Sequence, residues 1–258
     1  MKALRFLGMI FLSAGLVLGG FYIIDLHRSQ TVADELRLQK LQNTPPEPIP
    51  SQPNLDPTSP TPTPTPQPTL VIQANPFIDL FRQNNDLVGW LKIDNTRIDY
   101  PVVKGRDNDF YLTHGFDREK SRTGAIYMDY RNIGDGSDPH TVIYGHNMLD
   151  KSMFSDLLYF RDPEFYASRR IVTLETLFGS RQYKVFAAYT TSTDFYFIRT
   201  RFDETSFTNF IDEIQQRSDH EWEVPIAYGD QLLTLVTCAY DFFDARYVVH
   251  AVLLDHES

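Results

Sequence analysis

Only one cysteine occurs in 258 residues. That thiol, Cys238, has no partner for an intrachain disulfide. Positive charge is also scarce: 24 Lys and Arg stand against 34 Asp and Glu, a formal net charge of −10. The first 74 residues hold five basic and five acidic side chains, so the whole acidic excess belongs to residues 75–258. A domain of that sign repels phosphate backbones, which argues against nucleic acid as a partner. His140 and His146 lack a third placed ligand, so no metal site is expected, and no other cofactor is. No internal repeat is visible. Uncharged apolar runs of membrane length are limited to one.

That run is Phe6–Ile24, 19 consecutive uncharged positions preceded by Lys2 and Arg5. A helix of this length is about long enough to cross a hydrocarbon core of roughly 30 Å. A cleaved signal peptide is the competing reading, but its apolar region is usually about 7–15 residues and no small-x-small site precedes Asp25. An uncleaved signal anchor over 6–24, after a short N-terminus of residues 1–5, is therefore expected. Residues 25–43 can form a short polar helix with Leu36 and Leu41 loosely on one side, read as a solvated stalk. Between Thr44 and Thr69 lie 11 of the 16 prolines. Such a Pro/Thr-rich segment favours extended polyproline II geometry and reads as a linker over 44–74. The globular part is assigned to 75–258, its apolar content being ample for a core.

Asn75 and Pro76 fit a helix N-cap and first position, with Phe77, Leu80 and Phe81 as an apolar face. Strand-like runs follow at 88–93, 98–103, 124–130, 141–145, 170–175 and 183–191. Residues 147–160 read as helical, and a second helix is expected at 206–217 from the recurrence of Phe207, Phe210, Ile211 and Ile214. Many short strands separated by turn residues indicate a mainly β domain with added helices, an antiparallel barrel or sandwich.

Two further runs, QLLTLVTC ending at Cys238 and RYVVHAVLL opening at Arg246, should form an antiparallel hairpin with Cys238 and Arg246 at the same end. A lone thiol beside a fixed cation is a candidate nucleophile with an oxyanion partner. Buried packing is the alternative, since free cysteines are among the most buried residue types. An unpaired thiol outside the cell is unusual, and that favours use. Among seven histidines, His146 is the candidate base: it follows the strand TVIY and a glycine, where a loop can present the imidazole. His250, in mid-strand, reads as a satisfied structural histidine.

TLVTC at 234–238, with Arg246 downstream, resembles the TLxTC signature and following arginine of sortases, the membrane-anchored cysteine transpeptidases of Gram-positive bacteria. VIYGHNM at 142–148 resembles the sortase histidine segment. LVGWLKIDNTRIDYPVVKGRDNDFYL, GAIYMDYRN and the long insertion holding the 206–217 helix point to class B, and the likeness extends over 76–258. It implies an eight-stranded sortase barrel facing outward from a cell membrane. It also implies Cys238 as nucleophile, His146 as general acid/base and Arg246 as oxyanion and substrate clamp. Sorting-signal peptides and an amine acceptor, either a peptidoglycan precursor or a pilin lysine, are the implied partners. Asn108 aligns with a site neighbour in class B, and Tyr196 and Ile198 with the loop lining the substrate groove. Asp241 and Asp244 can orient His146 or Arg246. Val236 departs from the serine that some class B members carry. Two other functions stay open: a cysteine protease that passes the acyl group to water, and a tethered binding module with a structural cysteine.

Overall fold

The computed structural model describes residues 2–44, 76–221 and 224–254, with the side chains of residues 2–22 excepted. Eight strands close into a barrel. They are β1 (Leu87–Ile93), β2 (Asp99–Val103), β3 (Ile126–Met128), β4 (His140–Tyr144), β5 (Ile171–Thr176), β6 (Gly179–Thr191), β7 (Leu232–Cys238) and β8 (Arg246–Leu253). Around the barrel the order is β1-β2-β3-β4-β7-β8-β6-β5, and β5 closes onto β1. Every strand expected from the sequence is present, although β3 is shorter than 124–130. Contrary to the antiparallel arrangement expected from the sequence, β2 runs parallel to β3 and β4 parallel to β7. Parallel neighbours need long crossovers, and here the chain supplies them as the 104–125 loop and the long excursion between β4 and β7.

The two faces of β7 explain its unbroken apolar run. Leu233 and Leu235 point into the barrel with Ile143, Val249 and Ala251. Leu232 and Val236 point outward, under a helix, with Val142, Val248 and Val252. A strand buried on both sides reads as continuous hydrophobic sequence rather than as alternation. The covering helix is α4 (Glu204–Arg217), which buries Phe207, Phe210, Ile211 and Ile214. It begins two residues before the expected start because the Asp203 side chain accepts from the Ser206 amide and Ser206 returns the bond, a capping box.

Residues 147–160 do not form the expected helix. A 3-10 segment spans Ser155–Arg161, and a short helix, α3, spans Pro163–Ser168. Upstream, Lys151 and Met153 take left-handed backbone (φ 63° and 57°). The Ser155 hydroxyl bonds both the amide (2.7 Å) and the carbonyl (2.8 Å) of Met148. Such side-chain-to-backbone bonds compete with helix formation.

A long helix, α1 (Lys2–Asn43), precedes the barrel. The span expected over 6–24 falls, apart from its last two positions, on residues whose side chains lie outside the description. Among the described residues no helix is long and apolar enough to cross a membrane. The 25–43 part, expected as a solvated stalk, lies against the barrel. Leu36 is only 4% exposed, Arg28 pairs with Asp117 at 2.7 Å and Lys40 with Glu175 at 2.9 Å. Leu41 faces solvent. The expected linker lies mostly outside the described residues, as does the N-cap Asn75. Its two flanks are adjacent: Asn43 bonds Asp79 (3.2 Å) and Gln83 bonds Gln39 (2.8 Å), Asp79 and Gln83 belonging to α2 (Ile78–Gln83).

Candidate active site

Antiparallel pairing of β7 with β8 sets Cys238 directly opposite Arg246. Directly opposed residues in a ladder project their side chains to one face. That face is the outer one, shared with Thr234, Val236 and Val248. Both Cys238 and Arg246 are half-buried, so the thiol is shielded yet reachable. Arg246 is held by Asp244, whose carboxylate lies 2.8 Å from its Nη2. The Thr193 hydroxyl, which bonds Asp244, and the Arg246 cation together keep that carboxyl below the usual carboxylate range. Asp241 does not join this group, because it pairs with Arg161.

His146 reaches the thiol's end of the barrel through the parallel pairing of β4 with β7. Three bonds bracket it. The Gly145 amide donates to the Val236 carbonyl (3.1 Å). The Thr237 hydroxyl donates to the Gly145 carbonyl (2.8 Å). Asn147 Nδ2 donates to the Cys238 carbonyl (3.0 Å). The His146 carbonyl is tied in turn to the Phe154 amide (2.9 Å), so the irregular 147–154 loop serves to hold this residue. The imidazole Nε2 lies 2.8 Å from the Leu112 carbonyl. A carbonyl only accepts, so Nε2 carries the hydrogen and, in the neutral ring, the free lone pair is on Nδ1.

Gly145 is required by close packing. A Cβ there would lie 2.5 Å from Ile126 Cδ1 and 2.7 Å from Phe154 Cγ. Gly145→Ala is expected to cost about 1–3 kcal/mol by overpacking and to displace His146. Thermal melting together with the rate of Cys238 acylation checks this; an unchanged rate would show that His146 does not depend on this close approach.

Asn108, Tyr196 and Ile198, separate in sequence, meet around one carboxylate that the sequence did not single out. Asp129 is fully buried. It accepts from Arg131 Nε and Nη2 at 2.7 Å each. Tyr144 Oη at 2.8 Å and Asn108 Nδ2 at 3.0 Å are its other side-chain donors. Burial alone would raise the Asp129 carboxyl, but the bonds from Arg131, Tyr144 and Asn108 prevail and hold it below the usual carboxylate range. Arg131 extends outward to the Tyr196 hydroxyl and to the Ile198 carbonyl (2.9 Å). Both ends of the Asn108 amide are engaged, the oxygen by the Tyr130 amide at 3.1 Å. Tyr144 stacks on Tyr127 with ring centroids 5.2 Å apart. Burial, and secondarily the Cys238 charge, raise the Tyr127 phenol above its ordinary value. The network therefore runs from beside the thiol to the loop between β6 and α4. GAIYMDYRN contains Asp129 and Arg131, but no spacing rule reveals that they pair with each other.

Barrel and site together define a class of protein. The sortase domain family matches residues 91–254, and this chain belongs to the sortases, a family of cysteine transpeptidases. Within it the chain falls in class B. It is 40% identical over 179 residues to sortase B of Listeria monocytogenes, covering 68% of this chain and 73% of the relative. A substrate complex of Staphylococcus aureus sortase B superposes with a TM-score of 0.66 at 36% identity, covering 70% of this chain and 85% of that one. A sortase B complexed with triglycine gives the same TM-score and identity, covering 70% and 86%.

Proposed function

We propose that this chain is a membrane-anchored sortase that cuts a peptide sorting signal through a thioester on Cys238 and passes the acyl group to an amine. The Cys238 thiolate attacks the scissile carbonyl, forming a C–S bond. Arg246 donates to the oxygen that becomes negative, since a guanidinium stays charged and offers several donors. The C–N bond then breaks, and His146 as imidazolium protonates the leaving amine. An incoming amine attacks the thioester, His146 as imidazole takes its proton, and the new amide leaves with the thiolate restored. The observation carrying this reading is the register that opposes Cys238 and Arg246 while three hydrogen bonds fasten the His146 segment to the same strand.

Sortase B has been captured with a substrate in one structure and with triglycine in another, which supports a peptide donor and a small amine acceptor here. The acceptor class is a peptidoglycan-precursor amine or a pilin lysine. Asn108, Tyr196 and Ile198 would line the peptide groove. The uncharged Phe6–Ile24 run, preceded by Lys2 and Arg5, supports a single-pass anchor with the catalytic domain outside the cell.

The test is to incubate the purified full chain with a sorting-peptide library and candidate amines, followed by mass spectrometry. A peptide adduct on Cys238 that an amine releases as a new amide is the expected result. Release only to water would make the enzyme a hydrolase. Absence of any thioester would overturn the reading.

A further inference from the structure

The loop joining β6 to α4 carries Tyr196 and Ile198 and has almost no backbone bonding of its own; within it, the Phe197 amide reaches the Phe195 carbonyl at 2.9 Å. Two successive carbonyls are instead held from outside. Arg131 Nη2 donates to Ile198 (2.9 Å), and His140 Nδ1 bonds the Arg199 carbonyl. Consecutive carbonyls of non-helical backbone point in different directions, so holding both fixes the loop's orientation as well as its position. Arg131 sits on the connection entering β4, and His140 is the first residue of that strand. Asn132 staples that connection to the strand, donating to the His140 carbonyl (2.7 Å) and accepting from the Val142 amide (3.0 Å).

Each donor is itself oriented by a buried partner. Asp129 grips Arg131 through both carboxylate oxygens, as described above. His140 ends a chain of four buried groups on the outer face of the barrel. Its Nε2 lies 2.6 Å from Thr234 Oγ1. That hydroxyl lies 2.7 Å from His250 Nδ1, and His250 Nε2 lies 2.8 Å from Tyr189 Oη. One assignment satisfies every atom. Because the Arg199 carbonyl can only accept, His140 carries its hydrogen on Nδ1, so its Nε2 accepts from Thr234. Thr234 then accepts from His250 Nδ1, and His250 Nε2 accepts from Tyr189. The donors run in one direction, from Tyr189 to the Arg199 carbonyl. Thr234 lies four residues from Cys238 on the same strand, about 13 Å away at the usual rise, so neither histidine is part of the reacting group.

We propose that Arg131 and His140 are positioning residues that clamp the Ile198 and Arg199 carbonyls, and so set the width of the peptide groove beside Cys238. This rests on the reading that the 192–202 loop lines that groove. The clamp acts on peptide binding and leaves the chemistry of the thiol alone.

The test compares wild type with Arg131→Lys, His140→Leu and His140→Asn. Lysine keeps the charge beside Asp129 but cannot bond both carboxylate oxygens and the Ile198 carbonyl at once. Asparagine places its amide near the position of Nδ1, whereas leucine offers no donor. Arg131→Lys and His140→Leu are each expected to raise KM for the sorting peptide about tenfold, the size of one lost hydrogen bond that matters. They should leave iodoacetamide alkylation of Cys238 at its wild-type rate. His140→Asn should restore most of the KM. An unchanged KM, an alkylation rate that falls with it, or asparagine no better than leucine would overturn the inference. Should His140→Leu fail to fold, Arg131→Lys decides alone. A wild-type enzyme that acylates no peptide would refute the functional reading instead, and normal wild-type kinetics separate that failure from this one.

Discussion

Cys238→Ala is expected to abolish the peptide thioester while leaving the barrel folded. Cys238 is half-buried at the last residue of β7, so losing its sulfur opens no sealed core cavity, and melting should shift little. Without the sulfur no group opposite Arg246 can form the covalent intermediate. Intact-mass spectrometry after incubation with sorting peptide reads this directly; an adduct on the variant would place the nucleophile elsewhere. Arg246→Ala should retain the thiol but lower kcat/KM about 10²–10³-fold, the usual cost of one oxyanion donor. Arg246→Lys should recover part of this, because it restores charge but not the planar donor fork. Peptide-dependent acylation measured at saturation and at low substrate separates the two roles. A loss confined to KM would make Arg246 a substrate clamp only.

Acid should destabilise this protein in a window set by the two buried histidines. Burial, opposed by the bond to the Arg199 carbonyl and by Asp129, lowers His140 to about 4 from an ordinary 6.5, and Arg131 adds to the lowering. Burial, and then the neighbouring His140, lower His250 well below 6.5. Both are depressed bases, so the unfolded chain binds more protons than the native one below pH 6.5. Their contribution is complete above that pH and is lost as pH falls. For His140 alone the loss between pH 6.5 and 4 is about 3 kcal/mol, at 1.36 kcal/mol per pH unit. The physical cause is the one-directional chain. A proton added to His140 Nε2 would leave the Thr234 hydroxyl facing donors on both sides, and the aromatic rings of Phe202 and Phe210 beside His140 supply no anion. Asp129 loses its contribution only at lower pH, since its carboxyl is held below the ordinary carboxylate range. Urea unfolding at several pH values checks this. His140→Asn should flatten the slope between pH 6.5 and 4, and an equal slope in that variant would assign it to other groups.

The sequence alone was enough to locate the eight strands, because β-branched and aromatic runs bounded by turn residues carry their own conformational preference. It located the Cys238–Arg246 pair as well, since a hairpin with a short connection admits few registers. Helix α4 was legible from its apolar periodicity. The 147–160 segment was not. Its spaced apolar residues imitate a helix, but Lys151 and Met153 are left-handed, Ser155 bonds back to Met148, and the Met153 amide is drawn to the distant Tyr100 hydroxyl (3.1 Å), a contact that forms only on folding. The same holds for the barrel's parallel pairs, which join strands distant in the chain. His146 was singled out by its place after a strand and a glycine, but the fastening of its segment to the end of β7 is decided by β4 lying parallel to β7. Asp129, Arg131 and His140 became legible only once the barrel closed. A buried charge or imidazole survives where partners surround it, and those partners, from Asn108 to Tyr196 and from Thr234 to Tyr189, are assembled by topology rather than by local sequence.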